Sequence, residues 1–220
     1  LGSITVHEAA HAWAAKRGGD LTAYLGGQVS LNPLPHIRRE PLGMVFLPIL
    51  TIIISGWPFG YASAPFDPLW AQKYPLRAGW MALAGPAANL VLLILSGLLL
   101  KLGTLAGIFL VPDHVSFGHL VDVEKAVPWP GIAHFLGVIF SLNLLLTLFN
   151  LIPVPPLDGS GAMPLLLGEN LGRKYQAFIW NNAALGLVGI FISWKLIDLI
   201  YHPLFLAAVN ILHFKAGSYR

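Results

Sequence analysis

No cysteine occurs in the 220 residues. Disulfide frameworks and thiolate metal sites are therefore excluded, the redox compartment is not readable, and any metal must be held by His, Asp or Glu. Charge is almost as scarce: Asp, Glu, Lys and Arg together make up 10% of the chain, against about 25% in soluble domains, while 56% of the residues are hydrophobic. With a mean hydropathy of +0.70, the chain reads as an integral membrane protein. The net charge of +3 comes from basic residues in ones and twos beside apolar runs. With no basic stripe or aromatic-spaced basic cluster, nucleic acid is excluded as a partner, and these residues act as topology signals. There is no internal repeat, no low-complexity tail and no signal-peptide pattern.

A bilayer core about 30 Å thick needs about 20 apolar residues to cross it. Residues 79–100, 131–153 and 178–200 meet that test, and residues 1–16 read as a fourth, truncated span, because only six residues precede His7. Residues 42–55, fourteen in number with Pro48 inside, make a poor span and a reasonable re-entrant or interfacial segment. If they do not cross, Lys16, Arg17, Arg38, Arg39, Lys73, Arg77, Arg173 and Lys174 share one face, with Lys101 and Lys125 on the other. The positive-inside rule favours that arrangement and makes the eight cytoplasmic. The weak alternation in "GGQVSLN" predicts a small β-region at the membrane surface within about 19–36. The fold class is thus an all-α polytopic membrane protein, one domain over 1–220, with about four spans, the re-entrant segment and the small β-region.

Chemistry enters with "VHEAAHAW", residues 6–13. On a helix, His7 and His11 lie one turn apart on one face, where two imidazoles reach the same zinc ion. Glu8 stands beside that face, placed to take a proton from water and return it to a leaving amine. Ionisable groups in an apolar helix are costly and mark function. A catalytic zinc needs a third protein ligand, and the clearest candidate in the apolar half is Asp158 in "LFNLIPVPPLDGSGAM", where a long apolar run breaks at Pro153, Pro155 and Pro156. Broken backbone at membrane depth is tolerated where it is buried in protein or lines a water-filled cavity, the setting a hydrolytic site needs.

The motifs "HEAAH", "GDLTAYLGGQVSLNPLPH", "LAGPAANL" and "FNLIPVPPLDG" cover most of the chain, and in this order they resemble the site-2 protease family of intramembrane zinc metalloproteases. Without a large insertion between spans, the chain resembles the compact prokaryotic members that lack a PDZ domain. The resemblance implies one zinc ion per chain on His7, His11 and Asp158, with Glu8 as the base, in a multi-pass inner-membrane protein whose site lies toward the cytoplasm. It implies hydrolysis of peptide bonds in transmembrane segments of substrate proteins. It also implies that the 19–36 region offers a strand edge to an unwound substrate.

Asn89 and Asn150 are candidate substrate-binding residues, as donors to a substrate backbone or oxyanion; the competing role for each is as a helix-to-helix hydrogen bond. His36, before two arginines, reads as a surface or second-shell residue. His114 and His119 with Asp113 and Asp122 read as a solvated loop, since a spacing of five fits no common zinc motif. Trp57, Trp70, Trp80, Trp129 and Trp194 fall near span ends as an aromatic belt, and Lys195 and Asp198 near the end of the last span. Two other functions stay open. A catalytically silent scaffold is disfavoured by the intact Glu8, and a metal transporter by the lack of carboxylates near the middle of other spans.

Overall fold

The computed structural model describes residues 1–56, 59–124, 127–214 and 219. The described chain is mostly helical: α1 Gly2–Gly18, α2 Thr22–Leu25, α3 Pro33–Arg39, a π-helical turn Leu42–Phe46, α4 Leu47–Ser55, α5 Pro68–Lys73, α6 Pro75–Leu105, α7 Trp129–Asn150, α8 Asp158–Ala162, α9 Pro164–Trp180 and α10 Ala184–His213. Three of these, α6, α7 and α10, are long and apolar enough to cross a membrane. The residues expected as a truncated fourth span fall in α1, a 17-residue helix that is not among those three and carries His7, Glu8, His11, Lys16 and Arg17. The last span begins later than expected, because α9 ends at the Asn181–Asn182 turn, and runs on to His213 through Pro203. Lys195 and Asp198 therefore lie in the middle of α10 rather than near its end.

The chain packs as two units, Leu1–Ala88 with Leu151–Ile190, and Asn89–Asn150 with Phe191–Arg220. In the first, α1 runs antiparallel to the start of α6. Gly18 O meets Arg77 Nη1, His11 meets Met81, and His7 and His11 meet Gly85. Buried Ala12 and Ala15 on α1 and buried Ala78 and Ala82 on α6 keep that packing close. The C-terminal end of α1 is fastened three ways. Trp70 Nε1 and Arg77 Nη1 both donate to Gly18 O at 3.1 Å, and the buried carboxylate of Asp20 accepts from Thr22 N, Thr22 Oγ1 and Asp67 N. Trp70 is thus a buried packing residue rather than part of an aromatic belt; Trp80 and Trp194 are exposed, and Trp57 lies outside the described residues.

No strand forms in 19–36, contrary to expectation. Asn32 caps a helix instead: its Oδ1 accepts from Leu34 N at 3.0 Å, and Pro33, with φ preset, occupies the first helical position of α3. The prolines at 33 and 35 could not donate to a ladder, so helix wins over strand. The described β pairing is confined to two isolated bridges, Leu110 with Asp122 and Ser116 with His119.

Residues 39–44 and 61–63 are held against each other. Ser63 Oγ donates to Glu40 Oε1 at 2.7 Å, Arg39 Nε to Ser63 O at 3.3 Å, and Tyr61 N to Gly43 O at 3.1 Å. Gly43 permits this approach, since a Cβ there would strike Tyr61 O. Glu40 and Ser63, on either side of residues 42–55, are thus bonded neighbours. Apolar Phe46, Ile49, Ile53 and Ile54 of this segment are all exposed.

The second unit is built from the later part of α6, α7 and most of α10 around Leu100, Leu120, Phe140 and Val209. The loop after α6 folds onto it: His213 Nε2 donates to Leu120 O at 2.8 Å and Tyr219 Oη to Pro112 O at 2.7 Å. In that loop His119 pairs with Asp122 at 2.7 Å, both half-exposed, as a solvated pair. Lys125 lies outside the described residues.

Candidate metal centre

His7 and His11 project from one face of α1, as their spacing requires, with the two Nε2 atoms 3.0 Å apart. The third group arrives from a distant part of the chain. After α7 ends at Asn150, the stretch 151–157 turns sharply, with Val154 N bonded to Ile152 O and Leu157 N to Val154 O, and Asp158 opens α8. Gly159 allows this turn, because a Cβ there would collide with the carbonyl oxygens of Leu151 and Ile152. Asp158 Oδ2 lies 3.0 Å from His7 Nε2 and 3.3 Å from His11 Nε2. The three atoms belong to the first unit and form the metal-competent group of His, Asp and Glu side chains found among the described residues.

The donor chemistry fits a cation. A carbonyl can only accept, so the 2.7 Å contact of His11 Nδ1 with Met81 O places a proton on Nδ1, and in the neutral ring that ligates a metal the lone pair is then on Nε2. That lone pair faces a carboxylate oxygen and a second imidazole, an arrangement in which acceptors repel unless a positive charge lies between them. Tetrahedral zinc at about 2.0–2.1 Å from its ligands sets neighbouring ligand atoms about 3.3 Å apart, close to the spacings found here. Space for an ion is kept by Gly85 of α6: a Cβ there would fall on the Nε2 atoms of both histidines.

Glu8 is buried beside the cluster, its electrostatic neighbours being His11, His7, Asp158 and His36. No protein group among the described residues donates to its Oε2. His36 is not a surface residue: it sits on α3, 2% exposed, with Nε2 donating to Ser30 O at 2.9 Å.

The two asparagines belong to the second unit. Fully buried Asn89 donates Nδ2 to Asn143 Oδ1 at 2.8 Å, Asn143 in turn donates to Ile139 O, and Asn150 Nδ2 donates to Leu146 O at 3.0 Å. Sequence reasoning missed Asn143, Gly85 as the spacer of the cluster, Met81 O as the partner of His11, and Asp20. One signal for Asp20 was available: a carboxylate just past a helix C-terminus opposes the helix dipole and needs strong donors.

The sequence model of Peptidase family M50 matches residues 1–193. The protein named "Putative zinc metalloprotease YwhC" of Bacillus subtilis is 34% identical over 204 residues, 89% of this chain and 82% of that one. "Putative zinc metalloprotease Rip2" of Mycolicibacterium smegmatis is 36% identical over 163 residues, 74% of this chain and 53% of that one. A Synechocystis protein named "Putative zinc metalloprotease sll0528" is 32% identical over 126 residues, 53% of this chain and 27% of its own length. No solved structure matches the chain.

Proposed function

The chain belongs to Peptidase family M50, and on that premise we propose that it is a zinc-dependent endopeptidase that hydrolyses peptide bonds within or near transmembrane segments of other membrane proteins. The observation that carries this reading is the convergence of His7 Nε2, His11 Nε2 and Asp158 Oδ2 beside the buried carboxylate of Glu8.

His7, His11 and Asp158 would hold the ion, which supplies Lewis acidity toward the scissile carbonyl and toward water. Glu8 acts as general base, taking a proton from the attacking water and delivering it to the departing amide nitrogen. Its burial beside His7 and His11 keeps that exchange away from bulk solvent. Met81 O orients His11, and Gly85 keeps side-chain atoms out of the space the ion and scissile bond require. Asn89 is assigned to helix fixation, supported by its bond to Asn143 of α7, while Asn150, whose Nδ2 bonds Leu146 O one turn back in its own helix, keeps the role of a donor to the substrate.

A transmembrane substrate and the lipid bilayer are the partners this reading requires. The three long apolar helices support a multi-pass membrane location. Lys16, Arg17, Arg38, Arg39, Lys73, Arg77, Arg173 and Lys174 all belong to the unit that carries the site, which supports a site toward the cytoplasmic face.

The test is zinc content together with cleavage of a test transmembrane substrate, for the parent, Glu8→Gln and Asp158→Ala. The expected result is zinc retained and cleavage lost in Glu8→Gln, and both lost in Asp158→Ala. Undiminished cleavage by Glu8→Gln overturns the mechanism, and stoichiometric zinc in Asp158→Ala removes Asp158 as a ligand. A silent scaffold would bind zinc without turnover in the parent.

A further inference from the structure

Lys195 and Asp198 are charges that the mechanism above does not use, and both stand on the outer face of α10 in the second unit. Phe191, Lys195, Asp198 and Leu199 recur at the spacing of one helix face, and all four are exposed. The opposite face is the packed one, with Ser193 and Ile197 buried. Depth along the helix is marked by Tyr201, whose Oη donates to Ser141 O at 3.3 Å. Ser141 lies near the middle of α7, a 22-residue helix just long enough to cross a bilayer core. At about 1.5 Å per residue, Asp198 and Lys195 stand about 4.5 and 9 Å along the axis from Tyr201, inside a core about 30 Å thick.

Ionised groups at that depth are costly against lipid and pair with one another where they occur. Neither finds a partner in its own chain: no ion pair or hydrogen bond among the described residues includes Lys195 or Asp198, although the two lie one turn apart. The patch carries one charge of each sign, so it is complementary to its own image across a two-fold axis along the membrane normal. Two copies inserted in the same orientation bring Lys195 of each opposite Asp198 of the other. The rise of about 4.5 Å between the two positions is within reach of a lysine stem.

We propose that this face of α10 is the interface of a homodimer, in which two reciprocal Lys195–Asp198 pairs lie between the helices and Phe191 and Leu199 pack around them. A partner of another sequence would have to supply both charges in matching register; a second copy supplies them by symmetry. Such an interface rests on the membrane location proposed above and not on the protease chemistry, whose metal-competent cluster belongs to the other unit.

For the test, the full chain is co-expressed in two copies bearing different epitope tags, and the second tag is measured after capture by the first from mild detergent. Parent copies capture each other. Lys195→Glu with itself sets only negative charges together and Asp198→Lys with itself only positive ones, so capture falls at least about tenfold in each. Lys195→Glu with Asp198→Lys restores two reciprocal pairs, and capture returns to within about threefold of the parent. Pairing inside one helix cannot give that pattern, since neither variant keeps opposite charges at the two positions. A second measurement changes no charge: with no native cysteine, Leu199→Cys forms a disulfide-linked dimer on oxidation, and Ile94→Cys, exposed on α6, does not. Parent chains that capture no second copy, alone or with a different membrane protein in its place, overturn the interface. So do unchanged self-capture by either charge variant, no rescue in the crossed pair, and no dimer from Leu199→Cys.

Discussion

His11 Nδ1 donates to the carbonyl oxygen of Met81 at 2.7 Å, and that single bond decides which nitrogen of the ring faces Asp158. A side chain on α1 is thereby oriented by the backbone of α6, one turn before Gly85 of the same helix clears the space in front of it. Ligand orientation and ligand clearance are both properties of how α1 and α6 are registered.

Gly85→Ala is accordingly expected to abolish zinc retention, because the added methyl falls on the Nε2 atoms of His7 and His11. Far-UV circular dichroism should stay unchanged. Gly2→Ala, whose Cβ meets nothing within 4 Å, is the control and should keep full zinc content by elemental analysis. Stoichiometric zinc in Gly85→Ala would show that the histidines do not share an ion there.

Asp20→Ala removes an acceptor used by Thr22 N, Thr22 Oγ1 and Asp67 N. Hydrogen bonds to a charged group are worth about 1.5–3 kcal/mol each, so a stability loss on the order of 2–3 kcal/mol is expected after relaxation. Asp20→Asn keeps one acceptor and should lose less. Equilibrium unfolding in mixed micelles measures both, and equal losses would mean that the carboxylate oxygens are not the fastening point.

Asn89→Leu and Asn143→Leu should each lower stability by roughly 0.6–1.7 kcal/mol, the range found for hydrogen bonds between membrane helices. The double substitution should cost less than the sum, since the two side chains share one bond at 2.8 Å. Zinc content should not change in any of the three. Additive losses would place the energy elsewhere.

The absence of native cysteine gives a labelling background of zero. In sealed vesicles, cysteine at Glu40 and cysteine at Ser63 should react with a membrane-impermeant maleimide from the same side, because the two residues are bonded neighbours. Cysteine at Ile53, exposed and apolar, should resist the reagent from both sides. Labelling of positions 40 and 63 from opposite sides would make residues 42–55 a crossing.

What the sequence made legible is what depends on local spacing. His7 and His11 are four residues apart on a helix, Glu8 is their neighbour, and the hydropathy of residues 79–100 and 131–153 announces α6 and α7. Asp158 was reachable because few carboxylates lie in the apolar half and because prolines break the run before it. The 19–36 region went wrong at Asn32–Pro33, a capping signal outweighed by a weak alternation over seven residues. The burial of His36 and Asn143 was out of reach for another reason: it depends on hydrogen bonds to Ser30 O and Asn89, partners that no periodicity encodes. The last span starts later than its hydropathy announces because the Asn181–Asn182 turn separates α9 from α10, and it runs on past residue 200 with Pro203 inside the helix.

The neck formed by Glu40 and Ser63 has a consequence for how such a chain can vary over evolution. The stretch between Gly43 and Tyr61 is fastened at its two ends, by the Glu40–Ser63 and Gly43–Tyr61 bonds, so insertions or deletions within it should leave the register of α1 against α6 untouched. Length differences among related chains should therefore collect there, and a foreign tip could be grafted onto the neck without retuning the ligands.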